Sequence, residues 1–246
     1  MTYVMSGPCD PHGRLLMLVT ARPRARAASM DLMKAPVIEV RDLDLNEAVR
    51  NVSFTVAEGE IYALLGRYGS GKTTLLEILA GLRRPTGGSV RLRGADPYTE
   101  RDAARPAAVW RDGGLFPGLT VAEIVDAWRR WTLDPLTRDE ALRLARLEDL
   151  ADVPFERLTA GRRRMLDLAL ALVGRSDVLL LDEPTAGLDG ADASEAWSVL
   201  RTLAAHGTAV VVATRDPREA CRADRVGVLD EGRLVTGRAA ARLRAA

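Results

Sequence analysis

The 246-residue chain is predicted to be an α/β protein, and three observations carry that prediction. Strand-like runs alternate with helix-like segments from Pro36 onward. The runs "VLLLDE" and "TAVVVAT" are apolar without alternation, which implies strands buried on both faces, as in a parallel sheet covered by helices. The composition, 47% hydrophobic and 28% charged, is that of an ordinary globular chain.

Residues Met1 to Ala35 carry Arg14, Arg22, Arg24, Arg26 and Lys34 without sustained periodicity. They read as a disordered extension, with Met30 or Met33 as an alternative start of translation. The "LLMLV" patch is too short for a secretory signal, and arginines follow it where small residues should lead to a cleavage site.

From Pro36 the elements follow in order. "VIEV" predicts a strand and "IYALL" a buried one; a helix runs from Lys72 to Ala80 and stops at Gly81; "SVRLRG" returns as a strand. Thr120 to Leu150 reads as a helical insertion, with Val121, Ile124, Val125 and Trp128 on one stripe and a capping box from Thr137 to Glu140. A helix from Arg162 to Val173 precedes "VLLLDE", and a helix from about Ala191 to Ala205 precedes "TAVVVAT". The short strands "RVGVL" and "RLV" close the series.

Net charge is +1 although the chain has 35 Lys and Arg, of which only Lys34 and Lys72 are lysines, so composition gives no sign of a polyanion partner such as nucleic acid. Cys9 and Cys221 show no C-x-x-C spacing and no nearby histidine, so neither a disulfide framework nor a zinc site is implied, and a cytoplasmic location fits. Apolar runs such as "LALALV" fall far short of the ~18 residues that span a bilayer. Any membrane role is therefore expected through a partner.

The stretch Gly66-Arg67-Tyr68-Gly69-Ser70-Gly71-Lys72-Thr73 satisfies G-x-x-x-x-G-K-[ST] after a buried strand and at the start of a helix. In that setting backbone N–H groups and the helix N-terminus can cradle phosphate. Lys72 reaches the β/γ-phosphates, and the Thr73 hydroxyl is offered to Mg2+, with Thr74 next to it. Asp182, at the end of "VLLLDEP", is a second candidate magnesium ligand, and Glu183 a candidate base for an attacking water.

Over nearly all of Val37 to Arg238, the series resembles the ATP-binding subunits of ABC transporters. "GRYGSGKT" resembles Walker A, "LLLDEP" Walker B, and "AGLD" at Ala186 to Asp189 the D-loop. "LTAGRRRML" at Leu158 to Leu166 resembles a weakened signature motif through Thr159, Ala160 and Gly161. The likeness is nearest to drug and antibiotic exporters whose permease is a separate chain. It implies a P-loop NTPase with a RecA-like core, a small antiparallel β subdomain and a helical insertion over about 116–160, all within one domain at 36–240 followed by a tail at 241–246. It also implies ATP and Mg2+ as cofactors, homodimeric or heterodimeric pairing with a second cassette, and attachment to the inner face of the membrane through the permease.

Three departures concern the γ-phosphate. Arg111 stands where the family's Q-loop glutamine belongs, and a guanidinium has no acceptor with which to ligate a metal. Arg215 stands where the switch histidine belongs, able to contact phosphate or to pair with Glu183. Ala160 and Arg162 replace a glycine and a glutamine of the signature. No aromatic residue lies between Val37 and Arg50 to stack on adenine, which leaves Arg41 or Arg50 as stand-ins.

The expected activity is thus ATP hydrolysis coupled to transport, slowed by Arg111 and Arg215. A non-hydrolysing regulatory subunit is the alternative, with a soluble non-transport ATPase behind it. Trp128 and Trp131 read as packing residues or a permease-facing patch, and Arg163 and Arg164 as a solvated helix face.

Overall fold

A computed structural model of the chain describes residues 36–100, 103 and 106–235. The expectations for the N-terminal extension and the C-terminal tail lie outside these residues.

Two sheets form the frame. The first is antiparallel and three-stranded, in the order β2-β1-β4, from β1 (Pro36–Leu45), β2 (Val49–Ala57) and β4 (Gly87–Leu92). The second has six strands. Its parallel part runs β5 (Pro106–Val109), β6 (Val178–Asp182), β7 (Ala209–Thr214), β3 (Ile61–Leu65) and β8 (Arg225–Asp230), and β9 (Arg233–Val235) pairs antiparallel at the edge. The α/β expectation with its antiparallel subdomain is what the chain adopts.

Helices α1 (Lys72–Leu79), α2 (Val121–Arg130), α3 (Arg138–Leu144), α4 (Ala160–Leu172), α5 (Gly190–Ala205) and α6 (Pro217–Ala220) join these strands, with short 3-10 turns at Glu148–Leu150 and Phe155–Arg157. Thr137 and Glu140 form the expected capping box, and Thr120 with Glu123 forms a second. None of the helices is long and apolar enough to cross a membrane, among the described residues.

The central strands explain the continuous apolar runs. Leu179 and Leu181 of β6, with Val210 and Val212 of β7, face a core shared with α2 to α5. Val178 and Leu180, with Val211 and Ala213, face the opposite core, shared with α1 and the antiparallel sheet. With a side-chain period of two, both faces need apolar residues, so no alternation survives in the sequence. The carboxyl ends of β3, β6 and β7 lie together because Leu65 pairs with Thr214 and Asp182 with Ala213. The loops leaving those ends form the crevice where ligands of such sheets bind.

Candidate nucleotide site

The loop leaving β3 turns at Gly71, whose φ of +101° belongs to the left-handed region and where an added Cβ would stand 2.1 Å from the Ala48 carbonyl oxygen. Any side chain there would block the turn into α1 and the presentation of its first N–H groups to an anion. Lys72, only 6% exposed, lies back over its own loop. Its Nζ donates to the carbonyls of Gly66 at 2.8 Å and Arg67 at 2.9 Å, and approaches Ser70 Oγ at 3.5 Å. Burial holds the ammonium's pKa below the usual lysine value. Glu183 and Asp182 oppose that shift, whereas Arg215 adds to it.

Asp182, 5% exposed, ends β6, and its Oδ2 accepts a 2.8 Å hydrogen bond from Thr73 Oγ1. The structure therefore joins a hydroxyl and a carboxylate from residues 109 apart in sequence. Two hard oxygen donors fit magnesium in type but are fewer than its octahedral shell requires, so phosphate and water would complete it. Glu183 sits at φ +50°, and its N–H donates to the Ala213 carbonyl at 2.8 Å. This unusual backbone re-aims the carboxylate from the strand end into the cleft, where Arg215 Nε donates to its Oε1 at 2.8 Å.

These groups line a cleft of about 350 Å³ with Tyr68, Gly69, Ser70, Gly71, Thr74, Arg111 and Ala48. Gly66 and Arg67 contribute the carbonyls already described. Three cationic side chains, Lys72, Arg111 and Arg215, face two carboxylates, an arrangement that suits a polyphosphate.

Thr159, Ala160, Gly161 and Asp189 do not line the cleft. Thr159 caps α4 by accepting from the Arg162 N–H at 3.2 Å, and Asp189 caps α5 by accepting from Ala191 at 2.9 Å and Asp192 at 2.8 Å. Gly161 is packed so closely that an added Cβ would meet Asp192 Oδ2 at 2.0 Å.

Several sequence expectations need correction. Arg164 is no solvated residue: its side chain is 11% exposed and bonds four backbone carbonyls. Arg163 is likewise engaged, over the Phe155 ring at 4.8 Å and donating to the Glu156 carbonyl. Trp131 is 91% exposed and Trp128 is partly exposed, so Trp131 does not pack and the apolar stripe of α2 stops at Val125. Neither Arg41 nor Arg50 lines the cleft; Arg41 pairs with Glu39 at 2.7 Å, and Arg50 lies 3.9 Å from Glu47.

Sequence reasoning also missed Glu219. It is buried beneath the switch segment, where it accepts from Thr214 Oγ1 at 2.5 Å and Thr185 Oγ1 at 2.7 Å. Burial raises its pKa above the usual carboxylate range. The two hydroxyls thereby tie the segment after Glu183 to the segment that presents Arg215.

Residues 49–186, more than half of the chain, match the family model described as ABC transporter. The chain belongs to the ABC transporter family. Among curated relatives of this cassette, the Nod factor export ATP-binding protein I of Burkholderia lata is 40% identical over 195 residues, covering 76% of this chain and 64% of the relative. A putative ABC transporter ATP-binding protein of Streptomyces avermitilis is 41% identical over 228 residues, covering 87% of this chain and 40% of the relative. The chain thus spans less than two thirds of the length of these relatives. Solved cassettes agree in fold. The dimeric structure of a bacterial ABC transporter cassette matches with a TM-score of 0.70 at 26% identity, covering 81% of this chain and 97% of that one. The cbiO1 protein from Clostridium perfringens, part of the ABC transporter complex cbiONQ, matches with a TM-score of 0.72 at 28% identity, covering 82% and 87%.

Proposed function

We propose that this chain is the ATP-binding, ATP-hydrolysing subunit of an ABC exporter for drugs or antibiotics, acting on a separate membrane permease at the inner face of the membrane. The observation that carries the reading is the 2.8 Å meeting of Thr73 Oγ1 and Asp182 Oδ2 at the lip of the P-loop cleft. The relatives named as export ATP-binding proteins support the transport role and its direction. Residues 36–240 are read as one cassette, with the insertion at about 116–160 facing the permease.

Lys72 leaves its carbonyl perch for the β/γ-phosphates, and the α1 N-terminus holds them from behind. Magnesium, held through Thr73 and Asp182, would supply charge neutralisation between the β- and γ-phosphates. Glu183 takes the proton of the attacking water once Arg215 has released it. Arg215 and Arg111 are guanidinium donors that turn to the γ-phosphate oxygens, replacing two polar groups of the family pattern by positive charge. Thr159, Ala160, Gly161 and Asp189 serve the nucleotide of a second cassette, which explains why they lie outside this chain's own cleft. A related cassette whose structure is dimeric supports that pairing.

A second reading has one observation in its favour: the Arg215–Glu183 pair occupies the candidate base. If that pair persists with nucleotide bound, the chain is a regulatory clamp that binds ATP without turning it over. Binding of a fluorescent ATP analogue tests the ground common to both readings. Lys72→Ala should weaken it at least about tenfold, the loss of one charge-assisted contact. Unchanged binding would remove the nucleotide site altogether. Recovery of the tagged chain with ribosomes or DNA instead of a membrane permease would overturn the transport assignment.

A further inference from the structure

We propose that Arg164 is a positioning residue that couples the chain's own γ-phosphate site to the signature segment it presents to a second cassette. The inference rests on the two-cassette reading given above.

Arg164 lies in the second turn of α4, the helix whose N-terminus is capped by Thr159 and contains Ala160 and Gly161. Its guanidinium is largely buried and lies against the backbone at the carboxyl end of β6, behind residues that line the nucleotide cleft. Nε donates to the Pro184 carbonyl at 3.1 Å, and Nη2 donates to the carbonyls of Asp182 at 2.9 Å and Glu183 at 3.2 Å. Nη1 donates to the Trp110 carbonyl at 2.5 Å. One side chain therefore holds the backbone of the candidate magnesium ligand, the candidate base and the residue immediately before Arg111.

A guanidinium has five N–H donors in a rigid fork and no acceptor, so it can bridge diverging carbonyls in a way that neither lysine nor glutamine can. Burying that charge is costly unless it is paired and its donors are satisfied. Asp167, one turn further along α4, supplies the countercharge at 3.8 Å. Burial pushes Arg164 down and Asp167 up, the cost of drawing both from water.

Asp167 is keyed to the same loop. Its Oδ1 accepts from the Gly114 N–H at 3.3 Å, and a Cβ on Gly113 would lie 2.3 Å from its Oδ2. Both ends of the 110–114 loop are thus fastened to α4, with Arg111 between them and its side chain in the cleft. A movement of Arg111 toward phosphate displaces the Trp110 carbonyl or strains its hydrogen bond to Arg164, and α4 with its Thr159 cap answers as a rigid unit. Four carbonyl bonds to three consecutive residues and a separate loop are more than helix anchoring needs, since α4 is already fixed by Met165, Leu166, Leu168, Ala169, Leu170 and Leu172 in the core.

The test uses the assembled transporter complex, with fluorescent-ATP affinity, kcat, KM and the Hill coefficient for ATP measured for the wild type, Arg164→Gln, Arg164→Lys and Asp167→Asn. Coupling predicts a wild-type Hill coefficient above 1. Arg164→Gln should keep nucleotide affinity within about twofold, lose about tenfold or more in kcat and fall to a Hill coefficient of 1, and Arg164→Lys should not rescue it. Should Arg164→Gln fail to fold, Asp167→Asn, which leaves the Arg164 donors in place, must still lower the Hill coefficient. A melting temperature that drops while kcat and Hill coefficient stay at wild-type values overturns the inference, as does a cooperative wild type with an equally cooperative Asp167→Asn. A wild type that binds no ATP instead overturns the function beneath it.

Discussion

Arg215 Nε and Glu183 Oε1 are joined at 2.8 Å at the mouth of the P-loop cleft, with Glu183 held at φ +50° by a carbonyl of the neighbouring strand. A carboxylate bonded in this way cannot take a proton from water on that oxygen, so the pair is a resting arrangement in the proposed mechanism. The γ-phosphate, with more charge than the carboxylate, is the competing partner for Arg215. Arg215→Gln should then reduce the preference for ATP over ADP by about tenfold, the lower end of what a hydrogen bond to a charged group contributes. Equal preference in the variant and the wild type, measured by competition against a fluorescent nucleotide, would show that Arg215 never reaches the phosphate.

Metal removal should separate this site from one built on glutamine and histidine. With Lys72, Arg111 and Arg215 all lining the cleft, much of the countercharge to the triphosphate belongs to the protein. Chelation of magnesium by EDTA should cost the wild type less ATP affinity than it costs Arg111→Gln plus Arg215→His, by about tenfold. Identical losses would assign the arginines to solvent.

Alkaline pH should release nucleotide early. Lys72 is lowered by burial, and phosphate must be met by its charged form. Binding then raises its pKa, so affinity is full below the free-state pKa and is lost as pH rises from there toward the bound-state pKa. The decline should begin below the ordinary lysine value of ~10.4 and be absent in Lys72→Arg, whose guanidinium stays charged. A flat profile up to that value contradicts the close packing of Lys72 on its loop.

Gly161→Ala should cost the fold less than about 1 kcal/mol, although the new Cβ would stand 2.0 Å from Asp192 Oδ2, because that carboxylate ends a side chain that can swing aside and alanine is the better helix former. Urea denaturation checks this, and a loss of several kcal/mol that Asp192→Ala relieves would show that the Asp192 side chain is fixed in place.

The central frame was legible in the sequence because its signals are local. "VLLLDE" and "IYALL" could be assigned as buried strands since β6 and β3 are covered on both sides, and G-x-x-x-x-G-K-[ST] fixed the turn between β3 and α1. Thr137 and Glu140 announced α3 four residues at a time. The length of β1 and the existence of β2 were hidden, since register shifts and positive φ at Asp42, Asn46 and Asn51 interrupt the alternation that marks a strand. Arg164 was read as surface because three successive arginines look solvated. Its burial is set by carbonyls of residues 110 and 182–184, which no local pattern reveals. Glu219 escaped for the same reason, its partners being hydroxyls on two other segments.

The most direct test is steady-state Mg-ATP hydrolysis by the purified complex, comparing the wild type with Glu183→Gln and with Arg111→Gln plus Arg215→His. A motor subunit with working arginines predicts turnover in the wild type, its loss by at least about a hundredfold in Glu183→Gln, as expected when a positioned base is removed, and no large gain in the double variant. A wild type that binds ATP without hydrolysing it, and gains turnover when both arginines are replaced, would contradict that account and make the chain a regulatory clamp.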